Sequence, residues 1–202
     1  MILYGWLPKT NGQSQIGLDQ YYYMNNKAFS FTPVLWYQGN SGWYAEVRYN
    51  YEAEKTLSVF MGKTFVNTSS FSYCISTMAG VVTGEFNGVA LALNAELEYK
   101  KLFFSLQSEH TFSIENRNTN FIYCWSDVGY RPFDWLSTGF SIQQTSLCGA
   151  KFEKGFFIRA QWRNWGLPLY VFNPEKAGKY VVLGLNFTWE HKKKITALDN
   201  TK

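Results

Sequence analysis

Alternation with a period of two restricts the folding of this 202-residue chain more than any other feature. From Trp43, the odd positions Trp43, Ala45, Val47, Tyr49 and Tyr51 are apolar, while Tyr44, Glu46, Arg48, Asn50 and Glu52 are polar or charged. Successive side chains of a strand point to opposite faces, so this run is a strand with two different surroundings. The pattern returns from Val89, where Leu91, Leu93, Ala95, Leu97 and Tyr99 alternate with Ala92, Asn94, Glu96, Glu98 and Lys100. It returns again over Phe156 to Arg163 and over Tyr180 to Glu190. A helix would mix the two sets, and no stretch keeps a helical period.

Weaker alternation fills the gaps, and turn-forming clusters punctuate it. Strands are expected near 15–24, 28–38, 42–52, 56–66, 70–82, 88–99, 102–114, 120–130, 135–147, 155–164, 166–173 and 179–190. The chain is therefore all-β with about 12 strands, between about 10 and 14. Pro168 has no N–H for a ladder and implies a strand end, a bulge or an unpaired side. A tight turn at Lys100 and Lys101 sets Glu98 opposite Phe103, Glu96 opposite Ser105, Asn94 opposite Gln107 and Ala92 opposite Glu109, all on one face. A three-residue turn at Ala53 to Lys55 sets Arg48 opposite Phe60 and Asn50 opposite Ser58. Short connections at 39–42, 100–101, 131–134 and 164–166 alternate with longer ones at 83–88, 115–119, 148–154 and 173–178.

Which face is outside decides the class. In a soluble barrel the apolar face is the core, whereas in a membrane barrel it meets lipid and the polar face lines the interior. Aromatic residues make up 19% of the chain, more than a core of this size needs. The rings gather at strand ends, including Trp36, Trp43, Tyr44, Tyr99, Trp135, Trp162 and Trp189, where two water–lipid boundaries would favour them. The apolar band of about ten residues per strand is the length a tilted strand needs to cross a bilayer. A soluble lipocalin-like barrel that binds an apolar ligand is the competing architecture.

Composition removes other classes. At 46% hydrophobic and 17% charged residues the chain is too apolar for disorder, yet no run approaches the roughly 18 apolar residues of a spanning helix. The net charge of +4 owes much to Lys192–Lys194, and no nucleic-acid partner is expected. Cys74, Cys124 and Cys148 allow at most one bridge and form no zinc motif, so they read as small buried hydrophobes. No cofactor or metal is implied. Met1 to Leu7 lacks the basic start and long apolar run of a secretory signal.

The stretch Trp43–Phe65 resembles a strand-turn-strand of bacterial outer-membrane β-barrel proteins, porin-like or small. The last strand, Tyr180–Trp189, is similar to their C-terminal assembly signal, with alternating apolar residues, a glycine and a closing aromatic. Here His191 to Lys202 follow that aromatic, which departs from the pattern. The resemblance implies a single antiparallel up-and-down transmembrane barrel in a bacterial outer membrane, with lipid as partner and the last strand read by the assembly machinery. The expected division is an N-terminal segment 1–14, a barrel 15–190 and a basic tail 191–202, both termini being periplasmic if the strand number is even. The oligomeric state is left open.

For such a barrel the lumen candidates are Glu46, Arg48, Asn94, Glu96, Glu98, Glu109, Arg159, Gln161 and Arg163. If the acidic group and the Arg159–Arg163 pair lie on opposite walls, a transverse field would orient polar solutes. The alternative is that these groups bond one another across a plugged interior. Function is then a narrow passive channel for small polar solutes, or a structural barrel. Catalysis is not expected: His110 falls on the apolar face, so a lipid hydrolase lacks an inward base, and His191 heads the polar tail.

Overall fold

The computed structural model describes residues 14–24, 29–115, 120–146, 151–175 and 178–191. They form twelve strands: β1 Ser14–Met24, β2 Phe29–Gln38, β3 Trp43–Tyr49, β4 Thr56–Thr68, β5 Phe71–Gly84, β6 Gly88–Tyr99, β7 Leu102–Ser113, β8 Phe121–Phe133, β9 Leu136–Ser146, β10 Lys151–Trp162, β11 Trp165–Phe172 and β12 Tyr180–His191. Each strand pairs antiparallel with its sequence neighbour, and β1 pairs with β12 to close the barrel. Of the expected segments 1–14 and 191–202, Ser14 and His191 belong to β1 and β12, while residues 1–13 and 192–202, like Cys148, lie outside the described residues.

The β6–β7 register follows the sequence expectation pair for pair, from Tyr99↔Leu102 through Ala92↔Glu109. The β3–β4 register does not: Arg48 faces Ser58, and Phe60 faces Glu46. The reason is local. Strand β3 ends at Tyr49, and Asn50 to Lys55 form a six-residue connection entered through Asn50 in the left-handed region, φ 56°. A shift of two residues keeps every side chain on its expected face. Pro168 sits inside β11, where bridges to β12 lapse between Gly166↔Asn186 and Leu169↔Leu183 without a register change, while Arg159↔Pro168 persists on the other side.

One end of the barrel carries the described chain ends Ser14 and His191 and the tight connections after β2, β4, β6, β8 and β10. The other carries the longer connections, including 50–55, 114–120 and 173–179. Two-residue turns at Lys100–Lys101 and Arg163–Asn164 place Lys100 and Arg163 in the left-handed region, as right-twisted hairpins require.

Parity divides the side chains. Leu18, Leu35, Val47, Val59, Met61, Leu91, Phe140, Ile158 and Leu167 stand on the outer surface, all more than a third exposed. An apolar belt running right round a closed barrel is a surface for hydrocarbon rather than water. At the short-turn end the belt is edged by Trp43, Tyr99, Trp135, Trp162, Trp165 and Trp189, and towards the long-loop end by Phe29, Phe31, Tyr49 and Phe112. This is an aromatic girdle with most of its tryptophan on one rim. His110 lies on the outer face, stacked on Phe112 at 4.2 Å.

Trp36 and Tyr44 do not belong to that girdle. They are 2% and 1% exposed and point inward, because each shares its parity with buried neighbours, Val34 and Gln38 for Trp36 and Glu46 and Arg48 for Tyr44. Trp36 Nε1 donates to Asp19 at 3.0 Å, and its ring lies so close over Gly17 that a Cβ there would fall 2.1 Å from the indole. Gly17→Ala is therefore expected to drive Trp36 off Asp19 and lower the unfolding midpoint, with a shift in tryptophan emission as the direct readout.

Candidate functional site

The inward face is packed in two halves. Tyr21, Phe121, Tyr123, Trp125, Phe157, Tyr170, Phe172 and Val182 form one apolar cluster, and Val34, Trp36, Tyr44, Phe60, Met78, Val82, Ala90 and Ala92 form the other. Tyr51 and Phe86, from the long-loop connections after β3 and β5, pack against both. A surface pair, Lys55 and Glu85 at 3.1 Å, ties the same two connections together.

Buried charge is held in three sets. Arg48 on β3 is paired through Nε with Glu46, and its Nη1 reaches Glu109 on β7 at 2.5 Å. Tyr44 donates to Glu46 at 2.6 Å, Thr111 donates to Glu109, and the guanidinium lies 4.2 Å from the centre of the Tyr51 ring and 4.4 Å from that of Phe60. In the second set Asp127 accepts from Trp125, Ser141 and Tyr170, at 2.9, 2.6 and 3.1 Å, with Arg159 3.6 Å away. In the third, Asp19 accepts from Trp36 and from Asn186 at 2.6 Å, and Asn186 also donates to Tyr21. Buried charge is tolerated when paired and hydrogen-bonded in this way.

Glu52 lies on the β3–β4 connection with its side chain turned inward, accepting from Ser58 at 2.8 Å. Burial, reinforced by Glu109, pushes its carboxyl up to about 7, against the opposing pull of Arg48 and Ser58. The ordinary value of 4.5 applies in the unfolded chain, so between that pH and about 7 the folded state keeps a proton that the unfolded state releases. Stability is thus expected to fall as pH rises through that window, and Glu52→Gln to flatten the fall. Urea midpoints at about pH 5 and about pH 8 measure both.

Glu46, Arg48, Asn94, Glu109 and Arg159 are buried inside the barrel, and Glu96, Glu98 and Gln161 are half-buried on inward positions. Glu98 pairs with Arg131 at 2.7 Å near the short-turn end, and Gln161 donates to the Arg163 carbonyl at 3.2 Å. Arg163 itself occupies the β10–β11 turn, exposed, with its guanidinium 5.3 Å from the Trp162 ring. It cannot share a wall with Arg159, because Trp162 pairs with Trp165 and the strand has already ended. Nor do acids and bases stand on opposed walls: Arg48 and Arg159 each sit against carboxylates of other strands.

Asp127, Trp125, Ser141 and Tyr170 are polar interior residues that alternation does not single out. On β8 the inward positions Phe121, Tyr123, Trp125, Asp127, Gly129 and Arg131 mix apolar with charged residues, so period two carries no polarity contrast there. Among the described residues no three His, Cys, Asp or Glu side chains converge as a metal site would need.

No known protein family and no characterised protein matches the sequence. Solved structures do match in fold. A KdgM porin in complex with disordered oligogalacturonate superposes with a TM-score of 0.64 at 12% identity, over 86% of this chain and 99% of that one. The NanC porin gives 0.57 at 10% identity, over 85% and 98%. The chain has the fold of the outer-membrane porins. Omp33 of Acinetobacter baumannii, an outer membrane protein, gives 0.50 at 13% identity over 90% and 100%. This is the outer-membrane barrel architecture that the alternation and the terminal strand imply, not that of a soluble lipocalin-like barrel.

Proposed function

We propose that the protein is a narrow passive channel of a bacterial outer membrane and that it favours small polar cations. The supporting observation is the charge of the inner wall. Among the described residues Asp19, Glu46, Glu52, Glu96, Glu98, Glu109, Asp127 and Glu153 are buried or half-buried on the inside, against Arg48, Arg131 and Arg159. Rings of acidic side chains inside low-dielectric walls concentrate cations and repel anions. An oligogalacturonate, the polyanion held by the KdgM porin, is therefore a poor solute for this lumen.

The Arg48 bridge to Glu109 joins strands four apart in the ring, and both side chains are fully screened from solvent, so the interior is packed at that level and any passage is narrow. In the same reading Trp43, Tyr99, Trp135, Trp162 and Trp189 anchor the barrel at the membrane boundary facing the periplasm, and β12 presents the assembly signal. Planar-bilayer recording under a KCl gradient is expected to show a small conductance with a cation-selective reversal potential. The double variant Glu96→Gln/Glu98→Gln should move that potential towards zero. A folded but silent barrel would leave a structural role only, and an anion-selective current would overturn the charge argument.

A further inference from the structure

We propose that the outer face of the barrel around Lys63 is a docking site for the phosphate headgroup of an anionic phospholipid in the leaflet at the short-turn end, an inference that rests on the exterior facing lipid but not on conduction. Lys63 lies on β4 with outward parity, between Met61 and Phe65, which are 63% and 56% exposed. It is a cation set into the apolar belt. Its Nζ donates to the Ser41 carbonyl in the β2–β3 turn at 3.1 Å and stands 4.4 Å from the centre of the Trp43 ring. The stem therefore runs along the belt towards the short-turn end and delivers its charge at the level of the tryptophan-rich rim.

Two other cation–ring pairs stand on the outside, Lys100 on Tyr99 and Arg163 on Trp162, each at 5.3 Å and both at the same end. Aromatic rings and basic side chains favour the boundary where lipid phosphates lie, so the three pairs mark one level round the barrel. Lys63 differs from the other two in its surroundings. Lys100 and Arg163 are exposed on turns, whereas Lys63 is half-buried on a strand between apolar neighbours. Its contacts are a carbonyl and a ring, and among the described residues no carboxylate pairs with it. A cation at a lipid surface without a counter-charge is costly, and the anion that a bilayer offers at that level is a phosphate.

The neighbouring strands extend the match. Thr77 of β5 is the ladder partner of Lys63, exposed on the same face, and adds a hydroxyl beside the ammonium. Away from the rim, the next outward rungs are Ala45–Met61–Ala79 and Val47–Val59–Val81, all apolar. A phosphate at Lys63 thus lays the acyl chains of its lipid on a continuous apolar track. A zwitterionic headgroup brings its own cation to a place whose charge is already positive, and a singly anionic headgroup does not. The site is accordingly selective for anionic phospholipid rather than for phospholipid in general.

Native mass spectrometry of the refolded, detergent-solubilised barrel, titrated with dioleoyl phosphatidylglycerol or with dioleoyl phosphatidylcholine, tests the site. The first phosphatidylglycerol is expected to bind about fivefold more tightly than the first phosphatidylcholine, the ratio that one basic side chain at a lipid surface supplies. Lys63→Gln should bring the two lipids level, and Lys63→Arg should keep the preference. Lys179→Gln, which removes an exposed cation from the other end, should leave it unchanged. Equal binding of the two lipids by the unmodified protein, or a preference that survives Lys63→Gln, would overturn the site. Inorganic phosphate in excess should not displace the lipid, because it lacks the chains; displacement would make this a general anion site and overturn the lipid assignment. A barrel that takes up neither lipid would remove the lipid-facing exterior and the site with it, whereas one that takes up both alike loses the site alone.

Discussion

Arg48→Leu is expected to destabilise the barrel by about 3–5 kcal/mol, the range for removing one partner of a buried ion pair. The guanidinium has no exposed side-chain surface and sits between Glu46 and Glu109, so its loss leaves two buried carboxylates without their cation. Most of the penalty comes from those carboxylates rather than from the lost attraction. The triple change Arg48→Leu/Glu46→Gln/Glu109→Gln should therefore recover much of the loss. Urea unfolding of the barrel in lipid vesicles measures both variants, and equal destabilisation of the single and the triple variant would refute the account. The Lys55–Glu85 pair, solvated on the surface, offers the contrast: breaking it should leave the midpoint almost unmoved.

The second large effect belongs to the outside. Met61 lies mid-strand on β4, 63% exposed on the apolar belt. Met61→Arg is expected to cost about 2–4 kcal/mol in a bilayer, because the belt there meets hydrocarbon. On a protein with a water-facing exterior the same exchange would fall within about 0.5 kcal/mol. One substitution thus separates the two solvents that alternation alone leaves undecided. A null effect in vesicles would remove the membrane assignment for that face.

Much of the architecture was legible because strand alternation needs no partner to be seen. The parity of Trp43–Tyr49 and Val89–Tyr99 alone separates an apolar from a polar face, and a two-residue turn at Lys100–Lys101 fixes the β6–β7 register. The β3–β4 register was less legible, since a six-residue connection permits several offsets that all preserve parity. Trp36 and Tyr44 show a different limit. An aromatic ring near a strand end suits a membrane boundary and a lumen equally, and only the parity of its neighbours separates the two. Least legible was which charges meet. Arg48 and Glu109 are 61 residues apart, and their contact depends on strand tilt and barrel radius, which no short stretch of sequence encodes.

The seam between β1 and β12 is antiparallel like the other joins and continuous from Ser14↔His191 to Met24↔Val181, and Asp19 accepts a buried hydrogen bond from Asn186 across it. Its partners are the most distant in sequence, so it carries the largest loop-closure entropy and is expected to form last during folding. Once formed, it makes the order of strands cyclic. A chain covalently joined across the seam and opened instead in one of the long connections should refold to the same ring. Its slowest step would then move to whichever pair of strands had become the new ends.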